Sequence, residues 1–149
     1  MQVSKNFWLN EFKVSRGYPI VAREIVFTPE QVNRIALLAQ SVLQPIRDRF
    51  GRVSITSGYR NQELNKLVKG SATSDHLQAV AADIFLGQKP IDFEVFNWIV
   101  EQNLPYRQVI AYHDRNIVHV SINVPGLEYK HESLFFNTKG EFEHVKQVG

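Results

Sequence analysis

The chain contains no cysteine among its 149 residues. Disulfide bonds, thiolate metal sites and a cysteine nucleophile are therefore excluded. No apolar run approaches the roughly 18 residues that a membrane-crossing helix needs, so we expect no membrane span. The first residues lack an apolar stretch followed by a small-residue cleavage site, which predicts a cytoplasmic protein without a signal peptide.

An excess of charge of one sign is also missing. The formal net charge is +2, from 17 Lys and Arg against 15 Asp and Glu. These basic residues are scattered along the sequence, which argues against a nucleic-acid partner. Hydrophobic residues make up 44% of the chain, enough for a buried core. The length suits a single domain spanning residues 1–149, which we expect to be a monomer.

The hydrophobic pattern alternates between helix-like and strand-like segments. Thr28 is a predicted helix cap, followed by Pro29 at the first helical position and by Gln31 in a capping box. Pro45 predicts a break near residues 43–44 of that helix. Residues 13–25 are predicted to be irregular. Further predicted helices are 62–68 and 92–103, the latter capped by Asp92, and predicted strands are 53–56, 79–86, 108–112, 117–124 and 134–136.

These elements predict an α+β fold with a small, mainly antiparallel sheet packed by helices. The tetrapeptide HDRN joins two apolar strands, which is typical of a hairpin. The last residues are polar and are expected to fray.

Three residues have the chemistry of a metal site. Asp83 lies within the apolar run AVAADIFL, where an unpaired carboxylate would cost several kcal/mol, and a bound cation would remove that cost. His76 precedes it by seven residues, and His119 lies on a predicted strand. Imidazole nitrogens and a carboxylate oxygen suit Zn²⁺, and three protein ligands leave the open position of a catalytic zinc site. From these residues alone, Asp83 facing solvent on an edge strand and His119 as a core histidine remain open.

Several motifs resemble the zinc D-Ala-D-Ala carboxypeptidase and L-Ala-D-Glu endolysin family, peptidase M15. They are SGYR at 57–60, LN at 64–65 and GSATSDHLQAVAAD at 70–83. The family hallmark is Ser-x-His, six residues, then Asp, with a later His on a strand. Ser74, His76, Asp83 and His119 match it position by position. The resemblance covers about residues 7–123 and implies a DD-peptidase-like (Hedgehog-like) fold.

The resemblance also implies roles for residues around the metal. Arg60 would bind a substrate carboxylate or a developing oxyanion. Ser74 would hydrogen-bond substrate or shape the loop before His76. Much of the family has an acidic residue three positions before the last His, where this chain has Asn116. We therefore predict Asp114 as the general base, with His113 second.

A milder departure is Ala79, where the family often has Gly. This difference gives little reason to doubt the predicted metal site.

The resemblance implies a zinc peptidase that cleaves the D-amino-acid-containing peptides of peptidoglycan. Either a terminal D-Ala-D-Ala bond or an internal L-Ala-D-Glu bond is expected to be cut. A compact enzyme of this kind resembles a bacteriophage lysis enzyme, held in the cytoplasm until a separate pore releases it to the cell wall. Asn116 motivates one alternative, a non-catalytic zinc-binding structural or virion domain of the same fold. A plain binding domain without metal is a further alternative.

Overall fold

The computed structural model describes residues 1–87 and 89–145, with the backbone alone for residues 89–92. Its strands are β1 (Gln2–Ser4), β2 (Phe7–Trp8), β3 (Ser54–Ser57), β4 (Ala81–Phe85), β5 (Tyr106–Tyr112), β6 (Val118–Ile122), β7 (Glu132–Phe136) and β8 (Phe142–His144). β1 and β2 form a separate pair, and the others form one sheet in the order β3-β4-β6-β5-β7-β8. Its strand pairs are antiparallel except β5 and β7, which are parallel. The predicted α+β class and mainly antiparallel sheet are confirmed.

The helices lie before, between and after the first sheet strands. They are α1 (Pro19–Arg23), α2 (Pro29–Leu38), α3 (Gln44–Phe50), α4 (Gln62–Leu67) and α5 (Lys89–Glu101), with 3₁₀ turns at Leu9–Phe12 and Asp75–Gln78. None of the helices in the described part of the chain has both the length and the apolar character that crossing a bilayer requires. The cap predicted for Asp92 lies outside the described side chains, and the fraying predicted for the last residues falls in part outside the described residues.

The start of α2 is fixed by the predicted capping box. The Thr28 hydroxyl accepts a hydrogen bond from the Gln31 amide at 3.2 Å, and the Gln31 side chain accepts one from the Thr28 amide at 3.0 Å. Pro29 occupies the first turn, where its missing N–H costs nothing. The prediction for this helix start is confirmed.

The break predicted from Pro45 is a π-helical turn over Ala39–Leu43, which joins α2 to α3. The Gln44 amide donates to the Ala39 carbonyl, five residues back. Pro45 itself has no N–H to donate, so the regular hydrogen bonding of the α-helix is interrupted. The wider π turn accommodates this interruption before α3 begins.

One face of the large sheet holds the main core. The residues that α2, the π turn, α3 and α5 bury against it are Ile35, Leu38, Val42, Leu43, Ile46, Val95, Phe96 and Ile99. The sheet contributes Ala82, Ile84, Val109, Ala111, Val118, Val120 and Ile122. Because side chains alternate along a strand, the intervening residues of the central strands point to the opposite face.

One part of the predicted secondary structure was wrong, and one strand was not predicted at all. Residues 13–25 are not irregular throughout, because α1 lies within them: Pro19, expected to break structure, is at the first helical position. No strand was predicted where β8 lies, because its three residues are exposed and show no buried face.

Candidate metal centre and its cleft

Asp83 and His119 are neighbours across two strands of the sheet. Asp83 on β4 pairs with His119 on β6, and His119 pairs with Ile110 on β5. Paired residues place their side chains on the same face. These residues therefore form a row on the face opposite the main core, where they line a cleft of about 980 Å³.

His76 reaches this row from the 3₁₀ turn Asp75–Gln78. The Ser74 hydroxyl caps the turn by accepting from the His76 amide at 3.2 Å. Nδ1 of His76 lies 2.7 Å from the Gly58 carbonyl, which can only accept, so this nitrogen carries the proton. Nε2 is then left with a lone pair and faces Asp83 Oδ1 at 3.3 Å. A backbone carbonyl that fixes the tautomer in this way is a common support for a metal-binding histidine.

The three predicted ligands converge. His119 Nδ1 lies 2.9 Å from Asp83 Oδ1, and ligand atoms from all three residues lie within 4.8 Å of one another. His76 and His119 are 3% and 8% exposed. Two imidazole nitrogens and one carboxylate oxygen form a donor set that suits zinc and several other divalent ions. The cluster could hold a metal ion.

The charge of Asp83 is stabilised by its two histidine neighbours. Burial raises the pKa of this carboxyl, but the adjacent imidazoles of His76 and His119 outweigh burial and hold the pKa well below its ordinary value. Asp83 is therefore a carboxylate near neutral pH, as ligation of a cation requires.

Arg60 lies beside the cluster. Its amide donates to the His76 carbonyl at 3.0 Å, and its Nη2 lies 4.0 Å from Asp83 Oδ2. The guanidinium also donates to Ser57 Oγ and to the buried Asn65 Oδ1 at 3.3 and 3.4 Å. Burial lowers the pKa of Arg60, and the Asp83 charge raises it in part. The group remains a cation fixed at the edge of the candidate metal centre.

Charged side chains surround the cleft. The cations are Arg60, Lys69, Arg107, Arg115 and Lys130, and the carboxylates are Asp75, Asp83 and Glu128. A register shift between Tyr106 and Val109 places both Arg107 and Gln108 on the cleft side, and Arg107 forms a buried ion pair with Asp75. This excess of cations gives the cleft a positive electrostatic potential.

The residues predicted as general base lie elsewhere. His113 Nδ1 is 2.9 Å from the Phe136 carbonyl, and the residue lines a cavity beside α5. The Asp114 side chain is 51% exposed and lies 3.9 Å from His113. Neither is among the residues that line the cleft. Asn116 lines the same second cavity as His113, so its amide does not take the place of an acid at the cluster.

Sequence reasoning missed Tyr112, which lines the cleft two residues beyond Ile110 on the same face of β5. Strand alternation from Ile110 is the signal for it, but that signal becomes usable only once Ile110 is known to pair with His119. It also missed Glu128 and the Asp75–Arg107 pair. Glu128 lies in a segment without a strand or helix pattern, and Arg107 lies in β5 just before the strand predicted from residue 108, so its pairing with Asp75 had no local signal.

No curated protein matches the chain. A family model does match it, and that match agrees with this geometry. The family model for Peptidase M15 matches residues 6–121, which contain the three clustered residues and Arg60. That range is well over half of the chain. The chain therefore belongs to the peptidase M15 family.

Proposed function

We propose that this protein is a zinc-dependent peptidase that hydrolyses D-amino-acid-containing peptides of peptidoglycan, as a carboxypeptidase or an endolysin-type endopeptidase. Family membership indicates a peptidase. The observation that carries the zinc-dependent mechanism is the convergence of His76, Asp83 and His119 within 4.8 Å, beside a fixed guanidinium and at the floor of an open cleft.

In this proposal each residue has a defined task. His76, Asp83 and His119 would hold the ion, which when bound supplies a Lewis acid and an activated water for attack on the scissile carbonyl. Arg60 binds a peptide carboxylate or the negative charge that develops on the carbonyl oxygen. Ser74 holds the turn that carries His76 and faces the same cleft.

A proton acceptor for the attacking water is also needed. The sequence assigns Asp114 to this role, with His113 second, and the structure adds Glu128 as a carboxylate residue that lines the cleft. Comparing kcat for Asp114→Ala, His113→Ala and Glu128→Ala identifies the acceptor. Loss of a general base typically lowers kcat by about 10²- to 10⁴-fold while the metal content stays unchanged.

The test of the proposal is release of free D-alanine and of new amino groups from purified peptidoglycan, with and without a chelator. Chelator-sensitive D-alanine identifies a carboxypeptidase, and amino groups without D-alanine identify an endopeptidase. His119→Ala should lose both zinc and activity. His144→Ala, which changes an exposed histidine on β8, should lose neither.

The second candidate function, a non-catalytic zinc-binding structural domain, predicts a different result. The protein would hold one zinc per chain and release nothing from peptidoglycan. A protein without stoichiometric metal, whose folding is unchanged by chelation, would contradict both candidates.

A further inference from the structure

Tyr112 lies beside the metal centre and has no role in the proposed function so far. It ends β5, and Ile110, two residues earlier on the same face, pairs with His119. Two residues of strand span roughly 7 Å. The ring of Tyr112 therefore lies in the row of side chains next to the ligands and lines the same cleft as Arg60 and Asp83.

The ring of Tyr112 is held from two directions. The Arg115 guanidinium carbon lies 4.6 Å from the ring centroid, and the Phe136 ring lies 6.0 Å away on the paired strand β7. Contacts of this kind fix the orientation of an aromatic ring. The ring therefore has a defined position without any contribution from its hydroxyl.

The hydroxyl of Tyr112 is available to a ligand. No side chain or backbone group in the described part of the chain forms a hydrogen bond with it, and it is not among the polar atoms sealed from solvent. A buried tyrosine normally finds a partner for this group. Tyr112 lines the cleft as well as the cavity beside α5, and it is on the cleft side that the charges of Asp83 and Arg60 act on its phenol.

The phenol keeps its proton at working pH. Burial, and then the charge of Asp83, raise the pKa of Tyr112 to about 12, against smaller opposing contributions from Arg115 and Arg60. A phenol of this kind donates a hydrogen bond near neutral pH and does not act as a base.

We propose that Tyr112 is a further catalytic residue, whose hydroxyl donates a hydrogen bond to the substrate carbonyl oxygen as water adds to the carbonyl carbon. This inference rests on the proposed peptidase function. As the water oxygen bonds to carbon, the C=O electron pair moves onto the carbonyl oxygen. Tyr112 stabilises that oxygen together with Arg60 and retains its own proton throughout. The hydrogen bond from Tyr112 strengthens only when negative charge develops on this oxygen, which happens in the transition state.

The first test is Tyr112→Phe, which removes the hydroxyl and keeps the ring against Arg115 and Phe136. On the zinc-loaded protein, kcat should fall about 100-fold with little change in KM, because removal of one such donor typically has this effect. Zinc content, melting temperature and the shape of the pH profile should stay as in the wild type. The matched control is Tyr129→Phe, which changes a tyrosine that is 74% exposed and lines a different cavity.

The second test measures binding without turnover. Phosphinate analogues of D-Ala-D-Ala and L-Ala-D-Glu place a charged oxygen where the tetrahedral oxyanion would form. Calorimetry on zinc-loaded protein should show binding at least about tenfold weaker for Tyr112→Phe than for the wild type and Tyr129→Phe, the loss expected for one hydrogen bond to a charged group.

The outcomes separate this inference from the proposed function. Wild-type kcat and phosphinate affinity in Tyr112→Phe would overturn the role of Tyr112 and leave the peptidase proposal standing. A raised KM at unchanged kcat would also overturn it, because the hydroxyl would then bind substrate and transition state equally. A wild type that neither cleaves the peptides nor binds either phosphinate would overturn both.

Discussion

Ala79 has a backbone conformation that few residues other than glycine adopt. Its φ is 58°, in the left-handed region, where an L-residue costs roughly 1–2 kcal/mol. The residue closes the 3₁₀ turn of His76 and is 1% exposed. The glycine expected at this position from the family resemblance therefore has a physical reason, and the alanine here is a small local strain between two predicted metal ligands.

Ala79→Gly should change the free energy of unfolding by less than about 1 kcal/mol. Relief of the left-handed strain offsets the loss of a buried methyl group, which is worth about 0.8 kcal/mol, and the added flexibility of glycine. Ala82→Gly is the control, because Ala82 is equally buried but lies in the extended strand β4. In denaturant unfolding, the free energy of unfolding of Ala82→Gly should be lower than that of Ala79→Gly by about 1 kcal/mol or more. Equal losses would contradict the strain at Ala79.

Tyr112 should give the metal-free protein a pH-dependent stability between pH 10 and 12. The charged groups that act on it are Asp83, Arg115, Arg60 and Asp114, and burial is the largest cause of its raised pKa of about 12. Because the folded pKa exceeds the unfolded value near 10, the neutral phenol favours folding. This contribution is complete below pH 10 and disappears as the pH rises through 12.

The measurement is denaturant unfolding of the wild type and Tyr112→Phe at steps from pH 9 to 12, with absorbance of tyrosinate recorded in parallel. The wild type should lose stability more steeply than the variant above pH 10, and it should form near pH 12 one tyrosinate that the variant lacks. Parallel curves for the two proteins would show that the phenol ionises as freely in the folded chain as in the unfolded one.

Gly58 links two segments that meet beside the candidate metal centre. It follows β3, and a Cβ built on it would lie 2.3 Å from the backbone oxygen of Phe12. Its own carbonyl accepts the Nδ1 proton of His76. The close approach of two backbone segments thus sets the position of the oxygen that orients a predicted metal ligand.

Gly58→Ala should therefore damage both stability and metal binding. Pushing a methyl group against backbone typically costs about 1–3 kcal/mol, and disturbing the support of a metal ligand lowers affinity about 10- to 100-fold. Gly17→Ala is the control, since a Cβ there meets no atom within 4 Å, and it should stay within about 0.5 kcal/mol of the wild type. Zinc titration with competition by a chromophoric chelator measures the affinity. Unchanged zinc affinity in a destabilised Gly58→Ala would show that this carbonyl does not orient His76.

At the scale of elements, prediction from the sequence succeeded where the signal was local. The capping box at Thr28 and the effect of Pro45 depend on neighbours within one or two helical turns, and both were predicted. The parallel pairing of β5 with β7 depends on contacts across the chain, as does the exposed strand β8. Neither leaves a local signal, because parallel pairing is set by the crossover of the whole chain and β8 has no buried face.

At the scale of the whole molecule, the metal cluster could be predicted because the family pattern names its members in sequence order. His76, Asp83 and His119 come together as that pattern implies. The surroundings of the cluster could not be predicted, because the side of the sheet on which a residue lies depends on strand register. Tyr112 lines both the cleft and the cavity beside α5, whereas His113, one residue further along, lines that cavity and not the cleft and hydrogen-bonds a carbonyl of β7.

Metal binding should stabilise the whole fold. His76 comes from a short turn, Asp83 from β4 and His119 from β6, so one ion would tie the loop between β3 and β4 to the centre of the sheet. An ion that binds only the folded chain stabilises it by about 2.7 kcal/mol when its free concentration is 100 times its Kd. For a chain of about this length, that corresponds to a rise in Tm of roughly 5–10 °C.

Thermal unfolding of chelator-treated protein, with and without added zinc, measures this shift. His119→Ala should lose most of the shift, because it leaves two ligands. Asp114→Ala should keep all of it, because that residue lies outside the cluster. A wild type that melts at the same temperature in both conditions, and binds well under one zinc per chain, would contradict the metal site. Full zinc binding with no shift in Tm would instead mean that the unfolded chain binds the ion equally well, because only preferential binding to the folded state raises the melting temperature.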